Sequence, residues 1–128
     1  MIYLDTSVAL AFLLSEDRNP PETIWEHSLV SSRLIEYEIW TSLHRQRLSE
    51  VLSESTNALL GRIALLELST AVLSRALEEF PKPVRTLDAL HLASCTYLLD
   101  HGRRVSLASY DQKMCAVATE LKIPLIEL

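Results

Sequence analysis

The sequence contains only two glycines, Gly61 and Gly102, and this scarcity excludes the common phosphate-binding loops. Neither G-x-x-x-x-G-K-[ST] nor G-x-G-x-x-G can be written with them. Cysteine is equally scarce, with only Cys95 and Cys115. The two lack C-x-x-C spacing and have no histidine at metal-ligand distance. We therefore expect both thiols to be reduced and to lie on helix faces.

Long apolar runs are also lacking, and the longest, Val8–Leu14, is too short to cross a bilayer. No basic segment precedes the first apolar block, which Asp5 interrupts, so a signal peptide is not indicated. We expect a cytoplasmic protein. The hydrophobic content of 48% and the mean hydropathy of +0.15 are high for a small monomer, so some surface is expected to contact a partner.

The net charge of −5 shows no excess of basic residues, which argues against a polyanionic substrate. This argument weakens if four of the 17 acidic residues form one metal site, because 13 then remain against 12 basic residues. Nine of those 12 are arginine, the better phosphate binder. No repeat, low-complexity tract or long linker divides the 128 residues, which predict one domain over residues 1–128.

The first seven residues place a carboxylate directly after a short apolar segment, Ile2–Leu4. A strand this short and apolar is typical of the centre of a parallel sheet, buried on both faces. Ligands bind beyond the carboxyl ends of such strands, where Asp5 follows. Asp5 alone is explained equally well as a cap of the next helix, Val8–Leu14, for which Thr6 and Ser7 are also candidates.

Predicted strands and helices alternate along the rest of the chain. The further strands are Leu29–Ser32, Ile63–Leu68, Val105–Ala108 and, at an edge, Pro124–Leu128. After a short helix from Pro21 to His27, the helices are about Arg33–Leu48, Glu54–Arg62, Thr70–Phe80, Leu87–Leu99 (capped by Thr86 and ended by Gly102) and Gln112–Leu121. This alternation predicts an α/β fold, a three-layer α/β/α sandwich with a mostly parallel sheet of four or five strands.

Glu38 lies a full turn inside its predicted helix, so capping cannot account for it. It shares an arc of the helix with Leu34 and Ile35, and an acid there is either buried and paired or part of a site. Glu36 points nearly the opposite way and is explained by the helix dipole.

Asp88 heads the helix Leu87–Leu99, in line with Leu92 and Cys95 on the stripe expected to face the core. The alternative is an acid placed for the helix dipole. His91 lies about 60° round the helix from Asp88. A single histidine there is more often a hydrogen-bonded packing residue than a ligand, because a metal site needs convergent ligands.

Asp111 follows the predicted strand Val105–Ala108. Ser109 and Gln112 have the spacing of a capping box, which would leave Asp111 free for other work. Taken alone, Asp111 is equally well explained as an acid at a helix start.

Together these acids support a metal site. In a parallel α/β fold the points where strands or loops lead into helices gather at one edge of the sheet. Four acids there repel one another by several kcal/mol at low dielectric, unless a hard divalent cation neutralises them. Carboxylates and water suit Mg²⁺ or Mn²⁺.

Four segments, in order and at suitable spacing, resemble the PIN-domain ribonucleases, and most closely the VapC-type toxins of bacterial toxin–antitoxin pairs. They are Asp5-Thr6-Ser7, Ser32 to Glu38, Thr86 to Ala93 and Ser109-Tyr110-Asp111. The resemblance covers the whole chain, and Thr86–Ala93 is its most specific part. It implies an acidic metal-binding quartet of Asp5, Glu38, Asp88 and Asp111, with Thr6 or Ser7, and Ser109, as polar helpers. Ser109 stands where threonine is more usual, and Glu36 competes with Glu38 for its position.

The resemblance further implies Mg²⁺-dependent endonucleolytic cleavage of RNA, a homodimer, and an antitoxin that fills a hydrophobic groove. Trp25, Tyr37 and Trp40 are candidates for that groove, although aromatic residues at helical spacing are more often core. The basic residues flanking the motifs, of which two or three are expected to bind RNA, are Arg33, Arg45, Arg47, Arg85, Arg103, Arg104 and Lys113.

Other classes of protein fit less well. A receiver-type signalling domain is also α/β and binds Mg²⁺, but it requires paired acids after the first strand, where Asp5 stands alone. A phosphatase with a D-x-D motif would need an acid at Ser7. A catalytically inactive acidic binding module remains an alternative, because four intact acids are necessary for cleavage but not sufficient.

Overall fold

Four parallel strands form one sheet with helices on both faces, which confirms the α/β/α sandwich. The computed structural model describes residues 1–128. The strands are β1 Ile2–Leu4, β2 Leu29–Ser32, β3 Ile63–Leu66 and β4 Ser106–Ala108. Besides a 3₁₀ helix at Glu22–Glu26, the helices are α1 Thr6–Leu13, α2 Leu34–Arg45, α3 Ser53–Leu60, α4 Thr70–Leu77, α5 Thr86–Asp100 and α6 Gln112–Glu120. None of them is long and apolar enough to span a membrane.

Strand β1 lies inside the sheet and is buried on both faces, as predicted. Ile2 and Leu4 join the core formed with α1, α2 and α3, whereas Tyr3 joins the core formed with α5 and α6. All three side chains are buried. The alternation of a strand explains why neighbouring residues serve opposite layers. Asp5 is thereby held at the end of the most buried strand.

The strand order is β3-β2-β1-β4, and every pairing is parallel. The chain runs outward from β1 through β2 to β3 and then crosses to β4 on the other side. The crevice between β1 and β4 is therefore the topological switch point, where open α/β sheets bind their ligands. Receiver-type domains have the order 2-1-3-4-5, so the topology excludes that alternative.

Several predicted element boundaries were wrong, among them the end of α4, at Leu77 and not Phe80, and the end of β3, at Leu66 and not Leu68. Helix α2 ends at Arg45, short of Leu48, because Arg47 adopts the left-handed conformation with φ 58°. The predicted strand Pro124–Leu128 is absent, and only Leu125 forms an isolated bridge with Leu107 of β4. Pro124 has no amide hydrogen to donate, so regular pairing does not extend along this segment.

The predicted cap of α5 was also wrong, whereas the cap of α1 is Asp5, one of the three candidates that the sequence left open. Helix α1 already includes Thr6, and Asp5 is the cap, accepting a 3.4 Å hydrogen bond from the Ser7 amide. Helix α5 includes Thr86 itself, and the side chain of the preceding Arg85 makes no capping bond. Adjacent polar residues compete for the cap position, and their sequence alone does not rank them.

Both cysteines are free and lie on helices, as predicted. Cys95 of α5 is fully buried, and this burial raises the pKa of its thiol to about 12. A thiol of this kind is a packing group and not a nucleophile.

Candidate active site

Asp5 ties the end of β1 to the loop after β4. Its Oδ2 accepts hydrogen bonds from the hydroxyls of Ser7, at 2.6 Å, and Ser109, at 2.8 Å, as well as from the Ser7 amide. The Ser7 hydroxyl in turn accepts a 3.0 Å hydrogen bond from the Tyr110 amide. The polar helpers Ser7 and Ser109 therefore orient Asp5 across the switch point, and only one of its two oxygens is used.

Glu38 turns from α2 toward α1 and α5. Its Oε1 accepts a 2.7 Å hydrogen bond from the Thr6 hydroxyl and lies 2.5 Å from Nε2 of His91. Glu36 points elsewhere, to an ion pair with Arg33 at 2.5 Å. The structure thus brings Glu38 rather than Glu36 to the other acids, in agreement with its position on the helical wheel.

His91 is the site residue whose role the sequence reasoning missed. It is 1% exposed and bonded to the Tyr3 hydroxyl at 2.7 Å, as expected for a packing histidine, but it also contacts the carboxylate of Glu38. Burial lowers the pKa of His91, but the hydrogen bond and charge of Glu38, together with the charges of Asp5 and Asp88, outweigh it, so the pKa is raised overall. Its spacing of three residues from Asp88, which puts both on adjacent parts of one helix face, was the available signal.

Asp111 both caps α6 and faces the site, which corrects the predicted capping box. Its Oδ1 accepts hydrogen bonds from the amides of Lys113, at 3.0 Å, and Met114, at 3.1 Å. Ser109 does not cap the helix, because its hydroxyl donates to Asp5 and accepts from the Asp111 amide.

Asp88 is half-buried in the first turn of α5. The carboxylates of Asp5, Glu38 and Asp111 each accept hydrogen bonds, but that of Asp88 accepts none. Its pKa is raised, first by burial and then by the negative charges of Asp111 and Asp5. His91 opposes this shift and Glu38 adds to it. The acid is therefore close enough to the other three for their charges to act on it.

Two cavities adjoin these acids at the start of α5. One, of about 490 Å³, is lined by Asp88, Asp111, Arg85 and Lys113. The other, of about 380 Å³, has Glu38 in its wall, together with Thr6, Tyr37, Arg45 and Leu87. Three of the basic candidates therefore lie beside the acids without forming an ion pair with any of them.

Arg33, by contrast, is already engaged. Its guanidinium pairs with Glu36 and Glu67, both at 2.5 Å, and these hydrogen bonds, with Glu67 contributing most, raise the pKa of Arg33. An arginine held by two carboxylates is a weaker candidate for binding RNA than Arg45, Arg85 or Lys113.

The donor chemistry of the four acids fits a hard divalent cation. The hydrogen bonds to Asp5, Glu38 and Asp111 each fall on a single oxygen, so each retains a second oxygen as a potential ligand. Oxygen donors of this kind suit Mg²⁺ and Mn²⁺. No group of three or more such side chains is already arranged to hold an ion, so the site is not a preformed metal cage.

The fold and these acids define an α/β protein with its candidate site at a topological switch point. A model of the PIN domain family matches residues 2–120, and the chain belongs to that family. Its fold is similar to the crystal structure of VapC20 from Mycobacterium tuberculosis, a toxin that cleaves the sarcin–ricin loop. The TM-score is 0.68 at 17% identity, covering 91% of this chain and 94% of the other. No match is found among curated protein sequences.

Proposed function

We propose that this protein is an endoribonuclease that requires Mg²⁺ or Mn²⁺. The observation that carries the proposal is the unbalanced charge at the switch point: the charges of Asp5, Glu38 and Asp111 all act on Asp88, and no lysine or arginine pairs with any of the four carboxylates. Membership of the PIN family and the fold shared with an RNA-cleaving toxin support RNA as the substrate.

In this proposal Asp5 and Asp88 hold the cation, while Glu38 and Asp111 complete the site or orient the attacking water. Thr6 would hold the carboxylate of Glu38 in place, and Ser7 and Ser109 that of Asp5, through the hydrogen bonds described above. A bound cation supplies positive charge that acidifies water and stabilises the negative phosphate oxygens.

Arg85 and Lys113 are placed to bind phosphate groups, because they line the same cavity as Asp88 and Asp111. Arg45 serves the cavity beside Glu38 in the same way. Positive side chains on both sides of an acidic centre allow a polyanion to approach it despite the net charge of −5.

The same proposal makes the protein the toxin of a toxin–antitoxin pair. A cognate antitoxin would insert a basic side chain among the four acids, where it replaces the cation's charge with charge-assisted hydrogen bonds. The groove that binds the antitoxin would adjoin Trp25 and Trp40. Trp25 packs on Phe12 at 4.7 Å between ring centroids, and Trp40 lines a small cavity with Tyr37. We expect inhibition to weaken with salt and to compete in part with Mg²⁺.

The test is cleavage of labelled RNA by the purified chain with Mg²⁺, with Mn²⁺ and with a chelator. We expect cleavage only with the metals, and a loss of at least about a hundredfold in Asp88→Asn, the scale for removing an electrostatic group from a catalytic site. Asp17→Asn, the same substitution in an exposed loop, is the matched control. Binding of RNA without cleavage would instead support the inactive acidic module, and cleavage that survives the chelator would contradict the metal requirement.

A further inference from the structure

A chain of hydrogen bonds connects the backbone of β2 to the candidate active site through the core. The Ser32 amide donates to the Tyr3 hydroxyl at 3.1 Å, that hydroxyl lies 2.7 Å from Nδ1 of His91, and Nε2 of His91 lies 2.5 Å from Oε1 of Glu38. Tyr3 is fully buried and His91 is 1% exposed. The chain crosses from one layer of the sandwich to the other, joining β2, β1, α5 and α2.

The direction of these bonds follows from the donors available. An ionised carboxylate can only accept, so Nε2 of His91 donates to Glu38. In neutral His91, Nδ1 then accepts from the Tyr3 hydroxyl, whose oxygen also accepts from the Ser32 amide. Both nitrogens of His91 therefore have partners, and turning the ring would leave buried polar groups without them, which is unfavourable.

The consequence falls on Glu38. Its Oε1 takes donors from His91 and from Thr6, so the carboxylate is fixed on one side. Its Oε2, which receives no hydrogen bond from the protein, is left as the oxygen that can face an ion or a water. An acid on a solvent-facing helix would otherwise lose this orientation among its rotamers.

We propose that His91 is a positioning residue that fixes the carboxylate of Glu38, and that Tyr3 fixes His91 in turn. The inference rests on the proposed function, because it assigns Glu38 to the metal site. His91 touches neither substrate nor cation and acts only through Glu38. Outer partners of metal ligands set the orientation of those ligands in this way.

The experiment must separate positioning from packing, because Tyr3 and His91 also contact each other edge to face, with ring centroids 5.8 Å apart. Glutamine and asparagine provide a matched pair. In His91→Gln the amide nitrogen occupies the region of Nε2 and retains a donor for Glu38. In His91→Asn the shorter amide occupies the region of Nδ1 and retains a partner for Tyr3 instead. Each variant loses one buried hydrogen bond, so both should lose similar stability.

Three quantities are measured for the wild type and both variants: the melting temperature without metal, the affinity for Mn²⁺ by electron paramagnetic resonance, and the single-turnover rate of RNA cleavage. We expect His91→Asn to lose about tenfold or more in Mn²⁺ affinity and in rate, the usual scale for such partners, and His91→Gln to stay close to the wild type. In the metal-free wild type, nitrogen-15 resonances should show the proton on Nε2, and Mg²⁺ should shift them.

Several outcomes would overturn the inference. Equal losses in the two variants, in proportion to their melting temperatures, would make His91 a packing residue. If neither variant folds, the wild-type resonances decide, and an unprotonated Nε2 or a resonance unmoved by saturating Mg²⁺ contradicts positioning. In all these cases an active wild type leaves the proposed function standing. A wild type that neither binds Mn²⁺ nor cleaves RNA overturns the proposed function, and this inference with it.

Discussion

Two glutamates that are neighbours in sequence have different partners on α2. Glu36 pairs with Arg33, which also holds Glu67 at the end of β3, whereas Glu38 accepts from Thr6 and His91. Since residues two apart lie on nearly opposite sides of a helix, only one of the two can face the switch point. The structure assigns that position to Glu38.

This difference predicts the effects of two identical substitutions. Glu38→Gln should reduce RNA cleavage by about a hundredfold or more, because it removes a charge from the acidic centre. Glu36→Gln should change cleavage little, because it weakens only a surface ion pair, and such pairs contribute little to stability. Cleavage rates at saturating Mg²⁺ and urea denaturation of both variants provide the test. Equal losses of cleavage would show that the assignment of Glu38 is wrong.

The raised pKa of Asp88 predicts how the stability of the metal-free protein depends on pH. Its pKa is raised above 3.8 in the folded state, first by burial and then by Asp111 and Asp5, so the folded protein holds this proton more tightly than the unfolded chain. The cost of ionising Asp88 is absent at low pH and appears as pH rises through its folded pKa. The metal-free Asp88→Asn variant should therefore gain stability relative to the wild type as pH increases above about 4.

Urea denaturation of the metal-free proteins between about pH 4 and pH 7 measures this difference. Asp17→Asn, in an exposed loop, should show no such trend. Asp5→Asn should raise or preserve the melting temperature as well, because asparagine also caps helices and carries no charge. A clear loss of metal-free stability in both the Asp5 and the Asp88 variant would identify these acids as structural partners.

At the scale of the element, α6 shows one acid with two functions. Asp111 caps the helix through Oδ1 and faces the cavity that Asp88 also lines. Asp111→Asn should keep the cap and lose the charge, so cleavage should fall while stability changes little. Asp111→Ala should lose both, with about 1 kcal/mol less stability. If cleavage falls only in the alanine variant, Asp111 contributes through the helix cap and not through its charge.

The elements themselves could largely be predicted from the sequence, because periodicity and apolar runs are local signals. Leu29–Ser32 was predicted to the residue, and Ile2–Leu4 was correctly expected to be central. The residue that caps α6 could not be predicted from the local sequence, because the Ser109 hydroxyl donates instead to Asp5, more than a hundred residues away. The contact between His91 and Glu38 was missed for the same reason, since no local pattern shows which side chains meet across a fold.

At the scale of the whole molecule, the composition predicts apolar surface for a partner, and the structure shows where exposed apolar side chains lie. In α2, Ile39 and Leu43 are fully buried in the protein's own core, whereas Tyr37 is 66% exposed. The exposed apolar side chains of α4, Leu73 and Leu77, border a cleft of about 620 Å³ that Phe80 also lines. This cleft is larger than either cavity beside the acids, yet it contains none of the four.

We predict that the protein is a homodimer that buries this apolar surface of α4. Leu77 is 89% exposed, and grouped apolar side chains of this kind mark interaction surfaces. Leu77→Glu should therefore shift the protein from dimer to monomer in sedimentation experiments at micromolar concentration. Val51→Glu, at an apolar residue that is 77% exposed and does not line this cleft, should leave the dimer intact. A wild type that sediments as a monomer would contradict the assembly without affecting the proposed nuclease, whereas a dimer insensitive to Leu77→Glu would place its interface elsewhere.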